Sequence, residues 1–141
     1  QDKTTEQPVA RVIYSRPQKN GRVIFGELLE YGKVWRMGAN EATELEFFRD
    51  VKINEIKIKK GRYTLYGIPN TDTWTLIINK DTDTWGSFKY NDKNDVVRID
   101  VAVQKQTEIA EAFSMVFDKT DNGADLVIAW DTLKINLPIV F

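Results

Sequence analysis

Two of the most reactive side chains in proteins are missing from this sequence, which contains no cysteine and no histidine among its 141 residues. Without cysteine the chain forms no disulfide bond and offers no thiolate to a substrate or a metal ion. Without histidine it lacks the commonest general base and the commonest ligand of transition metals. These absences exclude Ser-His-Asp, Cys-His and His-based zinc chemistry from this chain alone, and we predict that it uses neither a cofactor nor a metal ion.

Long apolar runs and an excess of charge are also absent. The apolar runs, such as Leu76 to Ile78, are of strand size and fall short of the ~18 consecutive apolar residues of a membrane-spanning helix. Lysine and arginine number 20 against 21 aspartates and glutamates, so no net field attracts a phosphate backbone. We therefore expect no membrane span and no nucleic-acid partner, which leaves a small molecule, a glycan or another protein as the partner.

The composition that remains is typical of a β-protein. Segments rich in β-branched and aromatic residues recur about every eight to twelve residues, and turn residues separate them. About ten such segments are too many for one open sheet of this size. We predict an all-β fold, a two-sheet antiparallel β-sandwich of about ten strands. It forms one domain over residues 9–141, after a flexible polar tail over residues 1–8.

Local patterns add detail to this prediction. The segment VKINEIKIK, residues 51–59, predicts a β-hairpin with a two-residue turn at Asn54 and Glu55, its apolar residues on one face and its lysines on the other. Apolar residues on both faces of the strand that begins at Trp74 predict a central position in a sheet. Apolar residues at helical spacing predict one short helical turn near residues 23–29.

Three stretches carry a resemblance to a known family: GRVIFGELLEYGKVWRMGANEAT, GRYTLYGIPNTDTWTLIINKDTDTWGSFKYNDKNDVVRIDV and LVIAWDTLKINLPI. Together they resemble the bacterial domain-of-unknown-function family 2911, and the similarity covers nearly all of the chain after Pro8. No activity is established for this family, so the resemblance implies none. It does imply an exported protein of a Gram-negative bacterium. The chain also opens at Gln1, as a processed or a truncated chain does, so we expect a periplasmic or secreted location.

The loop sequence GKVWRMGAN is the strongest candidate for a ligand-binding site. It brings together Trp35, Arg36 and Asn40 ahead of a predicted strand, and such loops often carry function. A guanidinium binds carboxylate and phosphate groups through a planar fork of donors, an amide both donates and accepts, and an indole offers a flat face. The alternative is favoured: a structural role, with Arg36 in an internal ion pair, Asn40 as a turn cap and Trp35 in the core.

Trp74 and Trp85 are further candidates for ligand binding, because they flank a hairpin-like unit and could stack on sugar rings. Core packing is favoured over stacking, since Trp74 alternates with apolar residues and a buried tryptophan often anchors a sandwich. The acidic segment from Asp118 to Gly123 is similar to the start of a calcium-binding loop. It lacks the glutamate that closes such a loop, so we predict a hairpin turn there.

These observations favour a non-catalytic binding or interaction module. A histidine-independent carboxylate hydrolase acting on glycans is the first alternative, although no pair of carboxylates identifies itself in the sequence. A structural accessory domain that pairs with a partner through an edge strand is the second. The composition favours binding over catalysis.

Overall fold

The described part of the chain consists mainly of β-strands. A computed structural model describes residues 9–38, 42–82 and 90–141, so the predicted tail over residues 1–8, Asn40 and Trp85 lie outside the described residues. Within these ranges the structure has one 3-10 turn and nine strands: β1 (Ala10–Ile13), β2 (Thr43–Phe47), β3 (Val51–Ile53), β4 (Ile56–Ile58), β5 (Gly61–Ile68), β6 (Thr73–Asn79), β7 (Asp95–Ala102), β8 (Gln104–Thr120) and β9 (Gly123–Val140). The predicted all-β fold is confirmed.

The strands form two antiparallel sheets. One sheet has five strands in the order β1-β2-β5-β6-β7, and the other has four in the order β4-β3-β9-β8. This architecture confirms the predicted β-sandwich. Strand β6 lies between β5 and β7, so the strand that carries Trp74 is central, as its two apolar faces predict.

The core lies between the two sheets and takes side chains from both. Because side chains alternate along a strand, every second residue faces this core. Typical members are buried aliphatic residues on β2, β6 and β9: Leu45, Leu76, Ile78, Leu126, Ile128, Ile135 and Leu137. Within the described ranges, no helix has the length and apolarity that crossing a bilayer would require.

The β3–β4 hairpin has the predicted turn and register. Asn54 and Glu55 occupy the left-handed region, with φ angles of 52° and 64°, which are the angles that a two-residue type I′ turn requires. Ile53 pairs with Ile56, and the next pairs follow in step. One detail differs from the prediction, because Ile56 is 45% exposed although it belongs to the apolar face.

The helical turn predicted near residues 23–29 does not form. The amide of Leu29 donates to the carbonyl oxygen of Ile24 at 2.8 Å, which closes a loop one residue wider than an α-helical turn. Gly26, with φ 95°, interrupts any helical run. Ile24 and Leu29 are buried while Leu28 is exposed. The segment is too short to hold a helix by itself, so the burial of these two residues, five positions apart, decides its conformation.

Strand β9 folds back on itself at Asp131. Asp131 has a φ of 56°, and two contacts join the chain segments on either side of it. The amide of Phe141 donates to the carbonyl oxygen of Asn122 at 2.9 Å, and the amide group of Asn136 donates to Asp125 at 3.4 Å. The two halves therefore lie side by side, and the predicted segments around Leu126 and Leu137 are two arms of one bent strand.

Tyr90 contacts Tyr66 on β5. Its ionisation makes the protein less stable at strongly alkaline pH. Its hydroxyl donates to Asp95 at 2.6 Å and accepts from Arg98 at 2.8 Å. Burial and the bond to Asp95 raise the pKa of Tyr90 from 10.0 to about 12. A raised pKa favours the neutral phenol in the folded state, so this contribution to stability is complete below pH 10 and is lost as the pH rises toward 12.

We expect the difference in melting temperature between the wild-type protein and Tyr90→Phe to narrow between pH 10 and pH 12, because phenylalanine has no proton to lose. Thermal unfolding of both proteins across this range is the measurement. A difference that stays constant with pH would show that the ionisation of Tyr90 is not linked to folding.

Candidate functional site

A cleft of about 460 Å³ lies between Trp130 on β9 and the loop that joins β1 to β2. We call residues 17–38 of that connection the cleft loop. The residues around the cleft are mostly aliphatic, aromatic or charged: Pro17, Arg22, Leu28, Leu29, Glu30, Lys33, Val34, Trp35, Arg36, Gly38 and Trp130. Two of the predicted site residues, Trp35 and Arg36, are among them.

The backbone around Arg36 is held in place from both sides. Trp35 forms an antiparallel bridge with Gly67 on β5, with N···O distances of 2.7 and 3.0 Å. Beyond Arg36, the amide of Thr43 donates to the carbonyl oxygen of Arg36 at 3.1 Å. The loop thus pairs with β5 just before β2 begins. It therefore presents Arg36 from a fixed backbone.

Met37, which follows Arg36, adopts a backbone conformation that is unfavourable for its residue type. Its φ is 62°, in the left-handed region, where a residue with a side chain incurs about 1–2 kcal/mol. The hydroxyl of buried Thr43 donates to the carbonyl oxygen of Met37 at 2.6 Å and holds this conformation. The thioether lies against Gly67, where an added Cβ would be only 2.6 Å from the sulfur. Backbone strain of this kind concentrates at functional sites.

The guanidinium of Arg36 has an unused donor. Its Nε atom is buried and has no hydrogen-bond acceptor, and no ion pair of Arg36 occurs in the part of the chain that the structure describes. The structural alternative, an internal ion pair, is therefore not what these residues form. An unpaired buried donor costs about 1–3 kcal/mol, so an acceptor that reached this atom would recover this free energy.

The charged residues around the cleft are mostly positive. Arg22, Lys33 and Arg36 are cations, and Glu30 is the single carboxylate among the described residues that line it. Arg22 donates through Nε to the backbone carbonyl of Lys19 at 3.0 Å, a contact that orients the side chain without neutralising its charge. A concave surface with an excess of charges of one sign concentrates the field, even though the whole protein has a net charge of only −1. Such a cleft suits a carboxylate or phosphate group.

Trp35, Trp74 and Trp130 pack into an aromatic cluster below the cleft. Trp35 is stacked on Trp130, with centroids 6.0 Å apart, and meets Phe113 edge-on at 5.0 Å. Only 7% of Trp35 and 2% of Trp130 are exposed, so the expectation of Trp35 in the core is confirmed and little of either ring is open to a sugar. Trp74 is also buried and lines a separate small cavity behind Trp130.

Several residues of the cleft are not identified by the sequence patterns above. Arg22 and Lys33 each follow a glycine with a positive φ, Gly21 at 69° and Gly32 at 80°. A cation that directly follows a turn glycine in a loop is a signal that could have identified both. Trp130 has no such signal, because it reaches the cleft from the second sheet. In the described ranges, no group of three or more acidic residues is placed to hold a metal ion.

One comparison with known proteins finds a match, and two find none. No curated protein matches the chain, and no solved structure matches it. A family model described as "Protein of unknown function (DUF2911)" matches residues 1–139, which is nearly the whole of the 141-residue chain. The resemblance found in the sequence is thereby confirmed, and the chain belongs to this family of proteins of unknown function.

Proposed function

We propose that the protein is a non-catalytic binding module that holds a small anionic ligand in the cleft. The observation that carries this proposal is the Arg36 guanidinium, which has a buried donor without an acceptor on a backbone held by Gly67 and Thr43. Arg22 and Lys33 add positive charge to the same cleft. A carboxylate or phosphate group would supply the missing acceptor and a compensating charge.

The alternatives have less support. Glycoside hydrolysis needs two carboxylates about 5–9.5 Å apart, and among the described lining residues Glu30 has no acidic partner. Pairing through an edge strand requires unpaired backbone groups, yet part of the outer edge of β8 is already occupied. The amide of Lys19 donates to the carbonyl oxygen of Glu111 at 2.8 Å, and the amide of Phe113 donates to that of Pro17 at 2.9 Å.

A location outside the cytoplasm is part of the proposal, and the resemblance to an exported family supports it. Fractionation of cells that express the native gene with a C-terminal epitope tests it. Recovery of the protein in the cytoplasmic fraction alone would contradict this part and leave the anion site unaffected.

We expect Arg36→Gln to weaken the binding of phosphate and acetate roughly 10- to 100-fold, because a hydrogen bond to a charged group contributes about 1.5–3 kcal/mol. The melting temperature should stay close to that of the wild type, since the substitution removes a donor that has no partner in the empty protein. Isothermal titration with each anion gives the affinity, and thermal unfolding without ligand gives the stability.

Arg49→Gln is the matched control. It makes the same change in net charge, but Arg49 lies over the ring of Phe141, 5.5 Å from its centroid, and is not among the residues that line the cleft. Its affinity for both anions should equal that of the wild type. Equal losses in the two variants would assign the effect to overall charge, and a wild-type protein that binds neither anion at millimolar concentrations would refute the proposed function.

A further inference from the structure

The cleft loop exposes three large apolar side chains. Val23, Leu28 and Tyr31 are 57%, 45% and 41% exposed, and all three belong to one short stretch of this loop. A single exposed apolar side chain needs no explanation, but a group of them beside a concave site is typical of a surface that contacts a ligand. Leu28 lines the cleft directly.

The wall of the cleft continues this apolar surface inward. Pro17, Leu29 and Val34 line it together with Leu28, and they share the cleft with the three cations. The site thus combines positive charge with an aliphatic wall. An inorganic anion would satisfy the charges and leave the aliphatic wall in contact with water.

The aliphatic residues, more than the aromatic ones, are available to a ligand. Trp35 and Trp130 are almost fully covered by their neighbours in the aromatic cluster, so neither offers an open face for a planar ring. Leu28, at 45% exposed, offers flexible hydrocarbon surface. This arrangement favours a chain over a ring as the apolar part of the ligand.

We propose that the ligand is an aliphatic organic acid, with its anionic headgroup at Arg36 and its hydrocarbon chain along Leu28 and Val34. This inference rests on the proposed function, because it assigns a chemical class to the anion of the same cleft. The headgroup supplies the acceptor that the guanidinium lacks, and the chain removes the aliphatic wall from water.

Affinity for a series of straight-chain acids tests the inference. Acetate, butanoate, hexanoate and octanoate share one headgroup and differ only in the length of the chain. Each methylene fully removed from water tightens binding about fourfold, so in an open cleft we expect a gain of roughly two- to fourfold for each added methylene. Isothermal titration measures the series.

Leu28→Ser is the diagnostic variant, and Ile56→Ser is its control. Both side chains are 45% exposed, but Ile56 lies at the β3–β4 turn and does not line the cleft. Leu28→Ser should lose at least half of the gain in affinity, measured on a logarithmic scale, between acetate and octanoate. Ile56→Ser should keep the full gain.

The possible failures separate the two proposals. Equal affinity for all four acids, with binding that still depends on Arg36, overturns the aliphatic ligand and leaves the anion site in place. A chain-length gain that is undiminished in Leu28→Ser also overturns it, because the chain then lies elsewhere. Octan-1-ol binding as tightly as octanoate, or no binding of any acid, overturns the anion site and this inference together.

Discussion

Gly123→Ala lowers the stability of the protein by about 3 kcal/mol or more, because the added methyl group has no space between the two arms of β9. A Cβ at this position would lie 1.9 Å from the carbonyl oxygen of Ile139 and 2.9 Å from its carbonyl carbon. Both atoms belong to the backbone, so a change of rotamer cannot relieve the clash and the arms must separate. We expect the melting temperature to fall by roughly 10 °C.

Gly21→Ala is the control for this substitution. Gly21 has a φ of 69°, and an added Cβ would have no heavy atom within 4 Å, so only the backbone conformation opposes the change. That penalty is about 1–2 kcal/mol. Chemical denaturation of the two variants compares them directly, and a Gly123→Ala protein as stable as Gly21→Ala would show that the arms of β9 are not in close contact.

Trp35→Ala should cost about 3–5 kcal/mol, the range for removing a large aromatic side chain from a core. Trp35 is the centre of the aromatic cluster: it is stacked on Trp130, and it meets Trp74 edge-on with the ring centroids 5.9 Å apart. Its indole N–H also donates to the carbonyl oxygen of Gly38 at 3.2 Å, within the loop that presents Arg36. The substitution should therefore weaken the binding of phosphate as well as the fold.

Ile58→Ala distinguishes the two effects of Trp35→Ala. Ile58 is fully buried in β4 and does not line the cleft, so its truncation should cost about 2–5 kcal/mol and leave the affinity for phosphate unchanged at a temperature where the protein is folded. Urea unfolding gives the two stabilities, and titration of phosphate gives the two affinities. If the two variants bind phosphate equally well, Trp35 supports the core and has no part in presenting Arg36.

The parts of the fold that depend on residues close together along the chain were predictable from the sequence. The β3–β4 hairpin follows from a two-residue turn at Asn54 and Glu55, because turn length sets the register of its strands. The candidate loop was also predictable in part, since Trp35 and Arg36 both line the cleft. In each case the relevant contacts lie within a few residues of one another along the chain.

The parts that depend on distant contacts were not predictable in the same way. Residues 23–29 have helical spacing, but Ile24 and Leu29 are buried against the sandwich and enforce a wider turn. Trp130 reaches the cleft only because the two sheets pack together. No local pattern in the sequence contains this information.

The reversal in β9 did leave a trace in the sequence. Buried residues fall at even positions from Ala124 to Trp130 and at odd positions from Ile135 onward. Such a change of phase along alternating residues indicates a break, although no glycine marks it. Asp131 takes the left-handed conformation instead, which aspartate tolerates better than most residues.

The unpaired guanidinium of Arg36 makes the empty protein the less stable form of the proposed module. Any anion that binds the folded chain and not the unfolded chain adds to its stability by mass action, by about 1.4 kcal/mol at ten times its dissociation constant. The resistance of this protein to heat would then reflect the buffer in which it is dissolved as well as its sequence. In a cell, the abundance of the folded protein would rise with the supply of its ligand.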